Sequence, residues 1–221
     1  MPLTAKLPAK IISEALSRGF DVTAFGRHEE NNTEAKTYVR KDILDLTRED
    51  LAGFDAVVSG FGAFTPETFP LYQTTTEHLA DILAGSDTRL LFVGGAGSLY
   101  TNPERTETLA DGKDFPEAIR PLAQAMKKSL GYLRTRNDVR WTYISPAAVF
   151  LADGPRTGFY ELTGEDFTVN KDGKSEISYA DYAIAMVDEI EHGNHIRERI
   201  FGPLGLKSPP SPRTVTASGV L

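Results

Sequence analysis

A doubly wound α/β fold on a mainly parallel sheet is what this sequence predicts, and three observations predict it. Strand-sized apolar runs alternate with segments of helical periodicity along most of the chain. Two of those runs, Asp55-Ala56-Val57-Val58-Ser59-Gly60 and Arg89-Leu90-Leu91-Phe92-Val93-Gly94, are nearly continuously apolar, the pattern of parallel strands covered on both faces. Finally, 221 residues with 40% hydrophobic and 25% charged side chains are enough for a sizeable core of ordinary soluble composition.

Each element follows in order. Ile11, Ile12, Ala15 and Leu16 recur at helical spacing, and Arg18-Gly19 supplies a C-terminal cation and a left-handed stop. Asp21 to Gly26 is short, β-rich and bounded by glycines, so it reads as a strand ending at Arg27. Beyond a polar loop from His28 to Ala35, Thr37-Tyr38-Val39-Arg40 is a weaker strand, followed by Asp42 to Asp45 and a brief helical turn near Arg48 to Ala52. A helix over Tyr72 to Leu83 joins the two strong strands, with Leu79, Ile82 and Leu83 on its apolar face. A longer helix over about Pro116 to Arg136 precedes a strand at Arg140 to Ser145.

From Gly158 to Ser178 the texture changes to short β-like pieces around the turn Lys171-Asp172-Gly173-Lys174, the start of a small C-terminal α/β region on the substrate side. Tyr179 to Glu191 aligns Ala183, Ile184, Val187 and Ile190 on a helix that Gly193-Asn194 can end. Residues 1–202 are therefore expected to form one domain. Residues 203–221, with Pro209-Pro210 and Pro212 among Ser, Thr and Gly, are expected to be a disordered tail.

Several function classes fall away on composition. A net charge of −7 has the wrong sign for holding a polyanion through a general basic field, so nucleic acid is not expected as a partner. The absence of cysteine removes disulfides, thiolate metal sites and cysteine nucleophiles. No apolar run is long enough for a membrane span and no secretory signal is evident, so a cytoplasmic location is expected. The chain has no Walker-A loop, no His-Glu-x-x-His helix and no Gly-x-Ser-x-Gly elbow. His192 and His195 read as surface residues, and no metal site is expected.

An open α/β sheet binds ligands in the crevice beyond the carboxyl ends of its strands, and three strand ends carry suitable residues there. Arg27 follows Phe25-Gly26, where an arginine can pair with the 2′-phosphate of NADP; a solvated loop arginine is the alternative. Ser59-Gly60-Phe61-Gly62 and Gly94-Gly95-Ala96-Gly97-Ser98 have the small residues that let backbone approach a ligand, or else simply form tight turns. Asp42, before Ile43, either faces an adenine or ribose or caps a helical turn. Ser98 either polarises an acceptor or caps its turn.

With these residues in view, the chain resembles the atypical short-chain dehydrogenase/reductases of the NADH-flavin reductase type, over about residues 9 to 201. The resemblance is carried by Lys10-Ile-Ile-Ser-Glu-Ala-Leu-Ser-Arg-Gly19, Phe92-Val-Gly-Gly-Ala-Gly-Ser-Leu99, Trp141-Thr-Tyr-Ile-Ser-Pro-Ala-Ala148, Gly154-Pro-Arg-Thr-Gly158 and Ile177-Ser-Tyr-Ala-Asp-Tyr182. It implies a Rossmann-like fold and a nicotinamide cofactor, NADP in preference to NAD. The implied cofactor neighbours are Thr4, Arg27, Asp42, Ile43, Ser59, Gly60, Phe61, Gly62, Gly94, Gly95, Ala96, Ser145, Pro146 and Ala147, with Ser98 as the catalytic candidate. The implied partner is a small acceptor such as a flavin or quinone, reduced by hydride that the cofactor delivers.

Two departures qualify what the resemblance implies. Members of this fold open with a buried strand and Gly-x-x-Gly-x-x-Gly, but here Pro2, Ala5 and Pro8 stand at the glycine positions and no strand precedes them. The first strand is central in the 3-2-1-4-5-6 order, so its absence removes a hydrogen-bond partner from two neighbours. In addition, none of the eight tyrosines has Lys at the fourth following position; Tyr132 has Arg136 there. The proton-relaying Tyr-x-x-x-Lys pair of typical members is thus absent, which disfavours alcohol dehydrogenation and sugar epimerisation. The sequence supports an NAD(P)H-dependent oxidoreductase first, and a non-catalytic NAD(P)-sensing or protein-interaction member second.

Overall fold

The computed structural model describes residues 3–202, with side chains from Lys6 onward; the expected tail lies outside the described residues. Six strands form the parallel core in two pieces. β1 (Thr23–Gly26) pairs only with β2 (Thr37–Arg40), while β3 (Ala56–Ser59), β4 (Arg89–Val93), β5 (Arg140–Pro146) and β8 (Glu198–Gly202) form a four-stranded sheet in that order. The expected consequence of a missing central strand is thus what the fold shows: β1 and β3 each have one strand partner among the described residues. A third parallel pair, β6 (Val149–Leu151) with β7 (Glu176–Ser178), belongs to the small C-terminal region.

Helices cover both faces of the sheet. α1 (Leu3–Ser17) and α4 (Tyr179–His192) pack on one side, and α2 (Leu71–Ile82) and α3 (Arg120–Leu133) on the other. The strand periodicity of two divides the core between these layers. Leu91 and Ile144 join Ile11, Met186 and Val187, whereas Leu90, Phe92, Trp141 and Tyr143 join Leu79, Leu130 and Leu133. This accounts for the continuous apolar runs, because β4 and β5 meet a helix layer on each face.

The fold corrects the sequence reading at several places. α1 begins at Leu3, ahead of the Ile11 to Leu16 positions whose spacing marked it, and runs through Pro8. The turn expected near Arg48 to Ala52 is present, closed by the Leu51 and Ala52 N–H groups donating to the Arg48 and Glu49 carbonyls at 3.2 and 3.3 Å, and a further helical turn lies earlier, at Ile43–Asp45. The long helix is shorter than expected, with a separate turn at Glu117–Ile119 before α3. β6 and β8 were not anticipated. β8 reads Glu198-Arg199-Ile200-Phe201-Gly202, and the charges at its start mask a strand in which Ile200 and Phe201 are buried.

α1 is tied to α4 and to the loop after β6 by charge. Glu14, 9% exposed, accepts from Arg18 Nη2 at 2.9 Å and from Arg156 Nη2 at 2.9 Å, and Arg18 also pairs with Asp188. Burial alone would raise the Glu14 carboxyl, but the two guanidinium groups prevail and hold it below its usual range. A carboxylate depressed by folding stabilises the native state above its unfolded pKa of about 4.3 and loses that contribution as pH falls through the folded value. Glu14→Gln should therefore cost about 1–2 kcal/mol near neutral pH and narrow its gap to the parent below about pH 4, in urea unfolding across a pH series. A constant gap down to pH 3 would refute this assignment.

Candidate functional site

Parallel strands point their carboxyl ends to one edge, so the segments after β1, β2, β3, β4 and β5 define the candidate crevice. After β1 and β2, Arg27 Nε lies 3.9 Å from Asp42 Oδ2. The Arg27 side chain is 72% exposed and free to swing toward a ligand, while Asp42 also caps the Ile43–Asp45 turn by accepting from the Leu44 N–H at 3.0 Å. Ile43 packs its side chain partly against the core layer of α2 and α3.

After β3, Gly60, Phe61 and Gly62 are half-buried and Ser59 is buried. The loop is pinned because the Tyr72 hydroxyl accepts from the Ala63 N–H at 3.1 Å and contacts its carbonyl at 3.2 Å, while the Phe61 ring meets Tyr72 edge-on at 5.3 Å. Ser59 and Tyr143 help to line an internal cavity of about 10 Å³ below this loop, room for about one water. A Cβ at Gly60 would lie 2.8 Å from Pro8 Cγ. Close packing of helix one on the sheet is a role of the third glycine in a dinucleotide loop; here the proline ring rests on a bare backbone instead.

After β4, the glycines serve internal packing. A Cβ at Gly94 would strike the Tyr143 ring, one at Gly95 would lie 2.9 Å from Met126 Sδ, and one at Gly97 would lie 2.6 Å from Ala123 Cβ. The Gly94 N–H donates to the Ile144 carbonyl at 2.8 Å, and Ser145 Oγ donates to the Gly95 carbonyl at 3.0 Å. Gly95 and Ala96 stay half-buried at the surface of this turn, whereas Gly94, Ser145, Pro146 and Ala147 are buried beneath it.

Ser98 is buried as well, and its Oγ accepts from Arg199 Nη1 at 3.1 Å. Arg199, whose side chain has no exposed surface, also donates to the Glu165 carbonyl at 2.8 Å and pairs with its carboxylate; Arg134 reaches the same carboxylate at 2.5 Å. Burial pushes the Arg199 guanidinium below its usual range and the Tyr143 phenol above its own. Sequence reasoning missed Arg199, whose one signal is a charge directly before the apolar pair Ile200-Phe201.

The structure thus divides the sequence-expected residues. Arg27, Asp42, Ile43, Gly60, Phe61, Gly62, Gly95 and Ala96 reach the surface of the edge, while Ser59, Gly94, Ser98, Ser145, Pro146 and Ala147 form its floor. Thr4 lies in the first turn of α1, and its side chain is outside the described portion. Among the described residues, Asp188, Glu191 and His192 are the one group close enough to share an ion, but Asp188 is already engaged by Arg18 and the Tyr160 hydroxyl.

A dinucleotide can be tested against this edge. Its nucleoside half would meet the half-buried Gly60–Gly62 backbone and the exposed Arg27–Asp42 pair. Its pyrophosphate would meet the amino end of α1, where the first backbone N–H groups of any helix lack internal partners, and the Lys6 ammonium, which now bonds Asp153 at 2.9 Å. No glycine turn is present there to bring backbone closer.

Comparison with known proteins adds independent findings. Residues 4–193 match the family model described as NAD(P)H-binding. YwnB of Bacillus subtilis (strain 168), itself uncharacterized, is 41% identical over 198 residues, covering 89% of this chain and 92% of that protein. A crystal structure from Streptococcus pneumoniae TIGR4, provisionally assigned as an NADH-flavin reductase, is 50% identical with a TM-score of 0.88, covering 90% of this chain and 94% of that one. A provisional epimerase from Bacteroides thetaiotaomicron is 36% identical with a TM-score of 0.79, covering 92% and 94%.

Proposed function

The chain belongs to the NAD(P)H-binding family, and from that premise we propose that it is an NADPH-preferring oxidoreductase acting on a flavin-like or quinone-like acceptor. When bound, the reduced nicotinamide supplies hydride, two electrons and a proton, to the planar ring of the acceptor. The observation that carries the reading is the exposed Arg27 beside Asp42 at the ends of adjacent strands, within a chain of this family. Arg27 would hold the 2′-phosphate by charge-assisted hydrogen bonds, Asp42 would orient Arg27, and the Gly60–Gly62 backbone would lie along the nucleoside. The provisional assignment of the pneumococcal relative supports a flavin as acceptor.

An acceptor of this kind suits the residues present. Reduction at a flavin or quinone ring needs little dedicated acid catalysis, and no tyrosine in the chain has the lysine partner that carbonyl reduction uses. Ser98, the catalytic candidate, would act from the floor of the crevice, its oxygen held by Arg199 and its proton left to donate.

Arg27→Ala should weaken NADPH binding about 10- to 100-fold and leave NADH within about twofold, read from nucleotide fluorescence titrations. Equal losses for both coenzymes would refute the phosphate contact. Adding FMN to the NADPH complex should bleach the nicotinamide absorbance band. A second reading, a non-catalytic NAD(P) sensor, is favoured by the glycine-free amino end of α1; nucleotide binding without turnover of flavins or quinones would select it.

A further inference from the structure

The small cavity beneath the loop after β3 is bordered by five hydroxyl-bearing residues that the proposed activity leaves unused. Ser59 of β3 and Tyr143 of β5 border it from the sheet, on either side of Phe92 in the strand register. Thr75 and Thr76 of α2 and Ser129 of α3 border it from the helix layer. All five are buried. The helix hydroxyls already have acceptors for their protons. Thr75 Oγ1 donates to the Leu71 carbonyl at 2.7 Å, Thr76 Oγ1 to the Tyr72 carbonyl at 2.7 Å and Ser129 Oγ to the Ala125 carbonyl at 3.2 Å, which leaves each oxygen with lone pairs to offer.

Tyr143 has the opposite need. Its hydroxyl oxygen is buried and makes no hydrogen bond among the described residues. Burial holds the phenol above its usual range, so it keeps its proton and remains a donor. Leaving that donor unmatched in the interior is costly, and the lone pairs on the helix hydroxyls are where a relay from it can end. An occupant must accept one proton and donate others, within a volume of about 10 Å³. Water meets both conditions, since it carries two donors and two acceptors and needs a cavity of about this size. An anion could accept from Tyr143 but could donate nothing to the helix oxygens.

We propose that this cavity is the site of a resident water, which accepts from the Tyr143 hydroxyl and donates to hydroxyl oxygens of α2 and α3. The water latches both helices to β5. Its effect reaches the loop above through α2: Tyr72, one turn before Thr76, packs edge-on against Phe61, and its hydroxyl accepts from the Ala63 N–H at 3.1 Å. The site lies inside the fold and does not depend on a coenzyme at the edge above it.

A high-resolution crystal structure of the parent protein should show one ordered water within hydrogen-bond distance of the Tyr143 hydroxyl. A dry cavity, or one closed by a rotated side chain, would overturn the proposal. Oxygen-17 magnetic relaxation dispersion gives a count of long-lived internal waters in solution. Ser129→Val removes an acceptor and puts a methyl group into the void, so it should lower that count by about one; an unchanged count would tell against the site. Tyr143→Phe withdraws the donor alone. It should speed hydrogen exchange of the Ala63 amide about 5- to 10-fold and leave β1 and β2 unaltered. Parent-like exchange at Ala63 would show that no latch acts through α2.

Discussion

Replacing Arg89 by Met should lower the unfolding free energy by about 3–5 kcal/mol, one of the two largest stability effects expected of a single substitution here. The Arg89 side chain is 8% exposed and that of Glu189 is 2% exposed, with Arg89 Nη2 2.6 Å from Glu189 Oε1. Arg89 Nη2 also donates to Thr142 Oγ1 at 2.9 Å, and its other terminal nitrogen donates to the Glu189 carbonyl. Glu189 further accepts from the His195 N–H at 3.0 Å and lies 2.7 Å from His195 Nδ1. Arg89 opens β4 and Glu189 lies in α4, so the network locks a helix to the amino end of the sheet, opposite the candidate crevice.

The size of the effect comes from what is left behind. Arg89→Met strands a buried carboxylate, whose desolvation penalty the guanidinium had offset, whereas Arg89→Met with Glu189→Met removes both charges and should recover much of the loss. Urea midpoints for the two single variants and the double variant decide the matter. Additive losses in the double variant would show that the pair is not coupled.

Gly94→Ala should be comparably damaging, by about 2–3 kcal/mol or more, which corresponds to a fall in Tm of roughly 4–12 °C for a chain of this size. The added methyl would meet the Tyr143 ring, which is buried, and would come within 2.9 Å of the Ile144 carbonyl oxygen, part of the β5 backbone. Neither neighbour can retreat without moving β5. Gly95→Ala is the informative control, since its added methyl would meet the end of the flexible Met126 side chain, at 2.9 Å from Sδ and 3.2 Å from Cε. It should cost less than about 1.5 kcal/mol. Circular dichroism melts of the two variants give the comparison directly, and equal losses would show that β5 is not what constrains Gly94.

These cases show where the sequence was informative. Continuous apolar runs at Asp55 to Gly60 and Arg89 to Gly94 sufficed to place β3 and β4 in a covered parallel sheet, because burial on both faces leaves no room for polar alternation. The lack of a strand-like run before the first helix, rather than the missing glycines, points to two neighbours without a partner, and among the described residues β1 and β3 each pair with one strand. β8 was not legible: Arg199 looks like a surface charge until the fold closes Glu165 and Ser98 around it.

The candidate crevice divides in the same way. Its location at the carboxyl ends of strands follows from the order of elements, and the residues expected there fall in short motifs of small residues. Local sequence determined which segments are strands, which are helices and where small residues interrupt them. Only tertiary structure decided that Gly94 and Gly97 receive neighbouring side chains, that Ser98 is held from β8, and that Pro8 rests on Gly60. The reason is physical: backbone propensity and apolar period act within a few residues, whereas the space a missing side chain leaves is filled by whatever distant part of the chain packs there.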